Sequence, residues 1–280
     1  MTGKEIHPVF EEFFATSRPL VIAGPCVLET EDIAFEIGAF MKKAVEEVGF
    51  LYCFKASYDK ANRTSVKSYR GPGLETGLKT LKKIGNELKC PVISDVHEVW
   101  QVGRAKEVLD SIQIPAFLSR QTDLLVEAGN TGLPVNIKKG QFLAPWDMKY
   151  SVEKVRSTGN EFVMVTERGA QFGYNNLVVD MRSIPIMKGL GVKVVFDATH
   201  SVQLPGGGAG CSSGQREFAP VLARSAFSAG ADAIFMEVHV DPERALCDGP
   251  NSLYLTQAKE LLKDLAMLDK IRGGFSSVAP

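Results

Sequence analysis

Short apolar or β-branched runs recur along the chain at fairly even spacing, beginning near Leu20, Leu51, Pro91, Ser111, Pro134, Phe162, Val192 and Ala233. Each is followed by a longer stretch with apolar residues at helical spacing, most clearly Glu31 to Val48, Leu74 to Leu88, Glu98 to Leu109 and Leu253 to Ile271. Parallel strands covered on both faces read as near-continuous apolar runs, and Val92-Ile93-Ser94 and Val192-Lys193-Val194-Val195-Phe196 mostly do so. Eight such units predict an α/β fold closed into a (β/α)8 TIM barrel over residues 20–280. Residues 1–19 fall outside the units and are expected to form a short N-terminal extension that caps the bottom of the barrel. The competing reading is an open doubly wound sheet, yet no strand leads directly into a G-x-G-x-x-G helix start. The run Gly206-Gly207-Gly208-Ala209-Gly210 follows a longer polar loop and suits a mobile lid as well as a plain flexible connection.

Composition narrows the classes of function. A chain of 280 residues, 45% hydrophobic and 23% charged, suits one domain of the size α/β barrels reach without splitting. A formal net charge of -1 offers no global field to draw in nucleic acid or an anionic membrane, so anion recognition has to be local. Met1 to Leu20 is acidic and aromatic, unlike a secretory signal, and no apolar run approaches the ~20 residues of a membrane span. The expected location is cytoplasmic. Five cysteines at 26, 53, 90, 211 and 247 form no CxxC pair and are expected to be mostly buried, reduced thiols.

The active site of such a barrel forms at the C-terminal ends of its strands. The apolar runs end in Cys26, Lys55, Asp95, Gln113, Lys138, Arg168, His200 and Glu237. Residues two apart share a face, so Gly24 with Cys26, Ile93 with Asp95, Asn136 with Lys138, Thr166 with Arg168, and Phe235 with Glu237 all point inward. Lys138 and Arg168 at such positions require internal carboxylates or a bound anion, and the anion is the favoured reading. Lys60-Ala61-Asn62-Arg63-Thr64-Ser65 and Ser68-Tyr69-Arg70-Gly71-Pro72-Gly73 pack three cations with hydroxyl and amide donors into a Gly-Pro loop suited to a phosphorylated sugar.

The first, seventh and eighth strands are neighbours in a closed barrel, so Cys26, His200 and Glu237 can converge, with Asp248 added from the following loop. A sulfur, a nitrogen and two carboxylates suit a borderline divalent ion such as Zn2+, Fe2+ or Mn2+. No organic cofactor is expected. His239 shares the parity of Glu237, which leaves it open as the ligand instead. His97 lies further into its loop than Asp95 and reads as a hydrogen-bonding or surface residue.

Taken together, Gly24-Pro25-Cys26, Phe54-Lys55-Ala56-Ser57, Asp59-Lys60-Ala61-Asn62-Arg63, Arg70-Gly71-Pro72-Gly73, Arg120-Gln121-Thr122-Asp123, Arg168-Gly169 and Cys247-Asp248-Gly249-Pro250 resemble the 3-deoxy-D-manno-octulosonate 8-phosphate synthases. The resemblance runs from about residue 20 to 270. It implies condensation of phosphoenolpyruvate with D-arabinose 5-phosphate and water, releasing phosphate, for lipopolysaccharide biosynthesis. It implies that Lys60, Lys138 and Arg168 hold phosphoenolpyruvate, that Gln113 and Lys55 line its site, and that Asn62, Arg63 and Thr64 bind the aldose phosphate. Lys60, Lys138, His200, Asp95 and Asp248 are the implied catalytic set, with the general base open among His200, Asp95 and a metal-bound water. Arg120 is implied to reach the sugar phosphate of a neighbouring subunit in a homotetramer. Cys26 places the chain with the metal-dependent group, whereas Cys247-Asp248-Gly249-Pro250 looks more like the loop of the metal-independent group. Two rivals are the seven-carbon synthase that uses erythrose 4-phosphate, which typically has proline where Asn62 stands, and a non-catalytic sugar-phosphate-binding barrel.

Overall fold

The computed structural model describes residues 5–208 and 211–272. Eight parallel strands close into a (β/α)8 barrel: Leu20–Gly24, Leu51–Lys55, Val92–Asp95, Ser111–Ile114, Val135–Lys138, Val163–Glu167, Lys193–Asp197 and Ala233–His239. Each pairs with its successor, and the first closes on the eighth in the register Leu20↔Ala233 to Gly24↔Glu237. Because both faces of every strand are covered, polar side chains survive inside only where they line a ligand space or find partners.

Strand parity divides the core in two. Outward residues such as Val21, Phe54, Val92, Ile112 and Val194 meet the helices in one large cluster. Inward residues, among them Leu20, Ile22, Cys53, Ile93, Met164, Val195 and Phe235, form a second cluster inside the barrel. Helix α1 (Pro8–Ala15) inserts Phe10 and Phe13, both fully buried, beside the strand-start residues Leu20, Leu51 and Ala233. Burying each such ring contributes about 1.5–3 kcal/mol.

The helices follow their sequence signals closely. Thr30 caps Glu31–Glu47 by accepting from the Ile33 amide at 3.2 Å, and Ala34, Ile37, Met41, Ala44 and Val45 supply its buried stripe. The helix after the third strand, Val99–Lys106, is shorter than the pattern predicts: Glu98 stands outside it in a capping box with Gln101, and the helix already ends at its C-cap Glu107. At the far end the last helix begins at Leu255, since Leu253 and Tyr254 pair instead with Val238 and His239 as an added short strand. Among the described residues, no helix is long and apolar enough to cross a membrane.

Two hairpins were not legible in the pattern: Ala170–Gln171 with Leu177–Val178, and Gln203–Gly208 with Cys211–Gly214. Gly206, Gly207 and Gly208, expected in a lid or plain connection, lie on a strand of the second hairpin; Ala209 and Gly210 lie outside the described residues. Both hairpins rise from the C-terminal side of the barrel, where the polar strand ends gather.

Candidate active site

A pocket at the C-terminal ends of the strands encloses about 1060 Å³ counting its open mouth. Lys55, Asp95, Gln113, Lys138 and Arg168 reach it from strand ends, and Lys60, Asn62, Arg63 and Thr64 from the loop after the second strand. His200 and Asp248 complete its wall, while Cys26 and Glu237 lie just behind. Arg120 is exposed and does not line this pocket. Gly24 allows the tight passage into Pro25 and Cys26, for a side chain there would collide with the Lys55 carbonyl.

The buried cations find internal partners. Lys55 Nζ donates to the Cys26 carbonyl, Ser57 Oγ and Glu237 Oε1, each at 3.1 Å, which fixes it as part of the frame. Lys138 is ion-paired with Asp197, and its Nζ lies 3.3 Å from the centre of the Phe235 ring. A carboxylate of the chain itself is thus one partner of the buried Lys138. Burial lowers the Lys138 ammonium and Asp197 offsets this only in part, leaving it at about 8. Arg168 donates to Gln203 Oε1 at 3.0 Å.

The loop carrying Asn62, Arg63 and Thr64 is stapled at its base. Arg70 pairs with Asp59, its Nε donating to Oδ1 at 2.8 Å, and the Lys60 amide donates to the Arg70 carbonyl at 2.8 Å. Arg70 thus holds the loop from outside the pocket and is not one of the cations facing it.

Asp95 is buried, accepts from Ser57 Oγ, and lies 2.9 Å from His97 Nε2. Although burial by itself raises this carboxyl, His97, Lys55 and Lys60 hold it well below the usual carboxylate range. His97 lines the pocket and bonds Asp95, the hydrogen-bonding one of its two expected roles, while its amide and that of Glu98 donate to Gln101 Oε1. Its Nδ1 is buried with no hydrogen-bond partner.

Around Glu237 the donors for a metal gather. His200 Nε2 lies 3.9 Å from Glu237 Oε2 and 3.7 Å from Asp248 Oδ2, and Cys26 Sγ lies 3.3 Å from the same Asp248 oxygen. Glu237 Oε2 is buried without a hydrogen-bond partner, an acceptor that a cation would satisfy. Burial raises the Glu237 carboxyl, but Lys60, Lys55 and His200 bring it down to about 2. Asp248 adopts a left-handed backbone with φ of 47°, a conformation Asp tolerates better than most residues and one often found at functional positions. These residues fit a divalent ion. His239 points elsewhere, its Nε2 3.6 Å from Glu29 and its Nδ1 accepting from the Asp241 amide.

Residues 15–272 match the DAHP synthetase I family. The chain belongs to that family. Similar proteins include those of Geobacter sulfurreducens, 60% identical over 91% of this chain and 94% of its own length, and of Desulfotalea psychrophila, 59% identical over 88% of each. That of Nitratidesulfovibrio vulgaris is 56% identical over 94% of this chain and 97% of its own. All three carry the name 2-dehydro-3-deoxyphosphooctonate aldolase.

Within this DAHP synthetase I chain, sequence reasoning missed two buried groups. The seventh strand ends at Asp197; His200 follows on a separate turn, its Nδ1 held by Asp197 Oδ2 at 2.8 Å. The parity of Val195 would have revealed Asp197, but the histidine drew the assignment. Cys247, read only as part of a loop motif, places its sulfur 2.8 Å from that of Cys26.

Proposed function

We propose that the chain condenses phosphoenolpyruvate with D-arabinose 5-phosphate and water, releasing phosphate and forming 3-deoxy-D-manno-octulosonate 8-phosphate for lipopolysaccharide. The observation that carries this reading is one pocket in which Lys138 and Arg168, on strand ends, meet Lys60, Asn62 and Arg63 from the stapled loop. Similarity of 56–60% to proteins named 2-dehydro-3-deoxyphosphooctonate aldolase selects this reaction over the seven-carbon synthase reading, in keeping with Asn62 in place of proline.

In this reading Lys60, Lys138 and Arg168 offset the phosphate and carboxylate of phosphoenolpyruvate, with Gln113 and Lys55 shaping its seat. Asn62, Arg63 and Thr64 hold the aldose phosphate so that its aldehyde faces the nucleophilic olefinic carbon. Water adds to the other olefinic carbon, and the resulting adduct loses phosphate. Holding three reactants together supplies on the order of 7–11 kcal/mol of the barrier. Asp95 and His200 both line the pocket and are the chain's candidates for moving that water's proton. A divalent ion, Zn2+, Fe2+ or Mn2+, held by Cys26, His200, Glu237 and Asp248 would supply Lewis-acid polarisation of the aldehyde.

Arg120, exposed on its own chain, would reach the aldose phosphate of a neighbouring copy in a homotetramer. The exposed Phe117, Phe142, Trp146 and Phe172 on nearby loops support self-association of this rim. A cytoplasmic location goes with this reading.

The test is phosphate release from phosphoenolpyruvate with arabinose 5-phosphate or erythrose 4-phosphate, each with and without a strong chelator and metal add-back. Turnover confined to the five-carbon aldose supports the reading, and turnover only with the four-carbon aldose contradicts it.

A further inference from the structure

Cys247 stands outside the set Cys26, His200, Glu237 and Asp248, yet three observations bind it to that site. Its sulfur is 2.8 Å from Cys26 Sγ and 3.6 Å from Asp248 Oδ2. Donor atoms of Cys26, Cys247 and Asp248 lie within 4.8 Å of one another, and Asp248 also belongs to the cluster with His200 and Glu237. A single carboxylate therefore joins the two groups. Finally, Arg63 Nη1 donates to Cys247 Sγ at 2.8 Å. A buried cysteine that serves only packing needs no hydrogen-bond donor on its sulfur, and here a side chain that lines the substrate pocket supplies one.

We propose that Cys247 is a second sulfur ligand at the divalent-metal site, giving this chain a two-thiolate centre that prefers thiophilic ions such as Zn2+ over Mn2+. The proposal rests on the reading of Cys26, His200, Glu237 and Asp248 as a metal site. Two metal–sulfur bonds of about 2.3 Å meeting at an angle of about 110° separate their sulfurs by roughly 3.8 Å. Rotation of one cysteine side chain to a neighbouring staggered position moves its sulfur by more than the difference. Soft sulfur donors favour zinc, while manganese favours oxygen ligands, so the second thiolate sets the choice among ions that one thiolate leaves open. Arg63 then touches a metal ligand directly as well as lining the substrate pocket.

Full-length protein, stripped of metal under reductant and loaded with Co2+, tests this through the near-ultraviolet sulfur-to-cobalt absorption. The set is wild type, Cys26→Ala, Cys247→Ala and the double variant, with Cys247→Ser in reserve and circular dichroism to confirm folding. If Cys247 is a ligand, each single variant keeps roughly half the band and the double variant loses it. In competition, Cys247→Ala also shifts the Zn2+ over Mn2+ preference by at least about tenfold toward Mn2+. A full band in Cys247→Ala with none in Cys26→Ala overturns the proposal and leaves the Cys26 site standing. A wild type with no band overturns the metal-site reading, and the proposal with it.

Discussion

Lys138 and Asp197 form an ion pair inside the barrel, joining the end of the fifth strand to the end of the seventh across the sixth. The same carboxylate holds His200 Nδ1 at 2.8 Å, so one buried acid orients both a pocket cation and a candidate metal ligand. Removing it leaves Lys138 buried and unpaired, a change that costs about 3–5 kcal/mol when a buried pair is broken. Asp197→Asn is expected to lower the melting temperature and to reduce kcat/KM for phosphoenolpyruvate by on the order of a hundredfold. Steady-state kinetics and thermal unfolding check both; an unchanged kcat/KM would contradict the orienting role.

The pH profile should report Lys138 directly. Its ammonium, at about 8, is charged below that pH and neutral above it. Binding of an anionic substrate by the free protein therefore weakens as pH rises, and kcat/KM for phosphoenolpyruvate is expected to fall through about pH 8. Asp197→Asn removes the partner that raises this value, moving the alkaline limb to lower pH. Lys138→Met should abolish the limb and lower the plateau.

Asn62 bears on the choice of aldose. Asn62→Pro, which installs the residue expected of the seven-carbon synthases, should reduce kcat/KM for arabinose 5-phosphate by at least about tenfold, as loss of one polar contact costs 1–3 kcal/mol. Because Asn62 is exposed on a loop, thermal stability should change little. Kinetics with both aldose phosphates decide the matter; equal loss for both would point to a distorted loop.

Phe13 tests the barrel floor. It is fully buried among interior side chains at the strand starts, away from the pocket. Phe13→Ala is expected to destabilise the fold by about 3–5 kcal/mol while leaving KM for both substrates near wild type, as read by urea unfolding and kinetics at low temperature.

The fold was legible because parallel strands buried on both faces announce themselves as apolar runs, and parity then sorted Asp95, Lys138 and Glu237 inward. What escaped depended on contacts distant in sequence. Asp197 hid behind His200, three residues on, and its contacts with Lys138 and His200 show its importance. Cys247 is 221 residues from Cys26, and no local spacing links them. Arg70 looked like a ligand cation because charge counts carry no direction; its partner Asp59 turns it outward. The hairpin through Gly206 resembled a loop since glycine-rich stretches carry no alternation of apolar and polar residues.

The most direct test of the central claim is a competition: the chain with phosphoenolpyruvate, a divalent ion and equal amounts of arabinose 5-phosphate and erythrose 4-phosphate, with products identified by mass. The account predicts an eight-carbon phosphorylated acid, formed with one phosphate released per molecule. A seven-carbon product, or phosphoenolpyruvate left intact beside bound aldose phosphate, would contradict it.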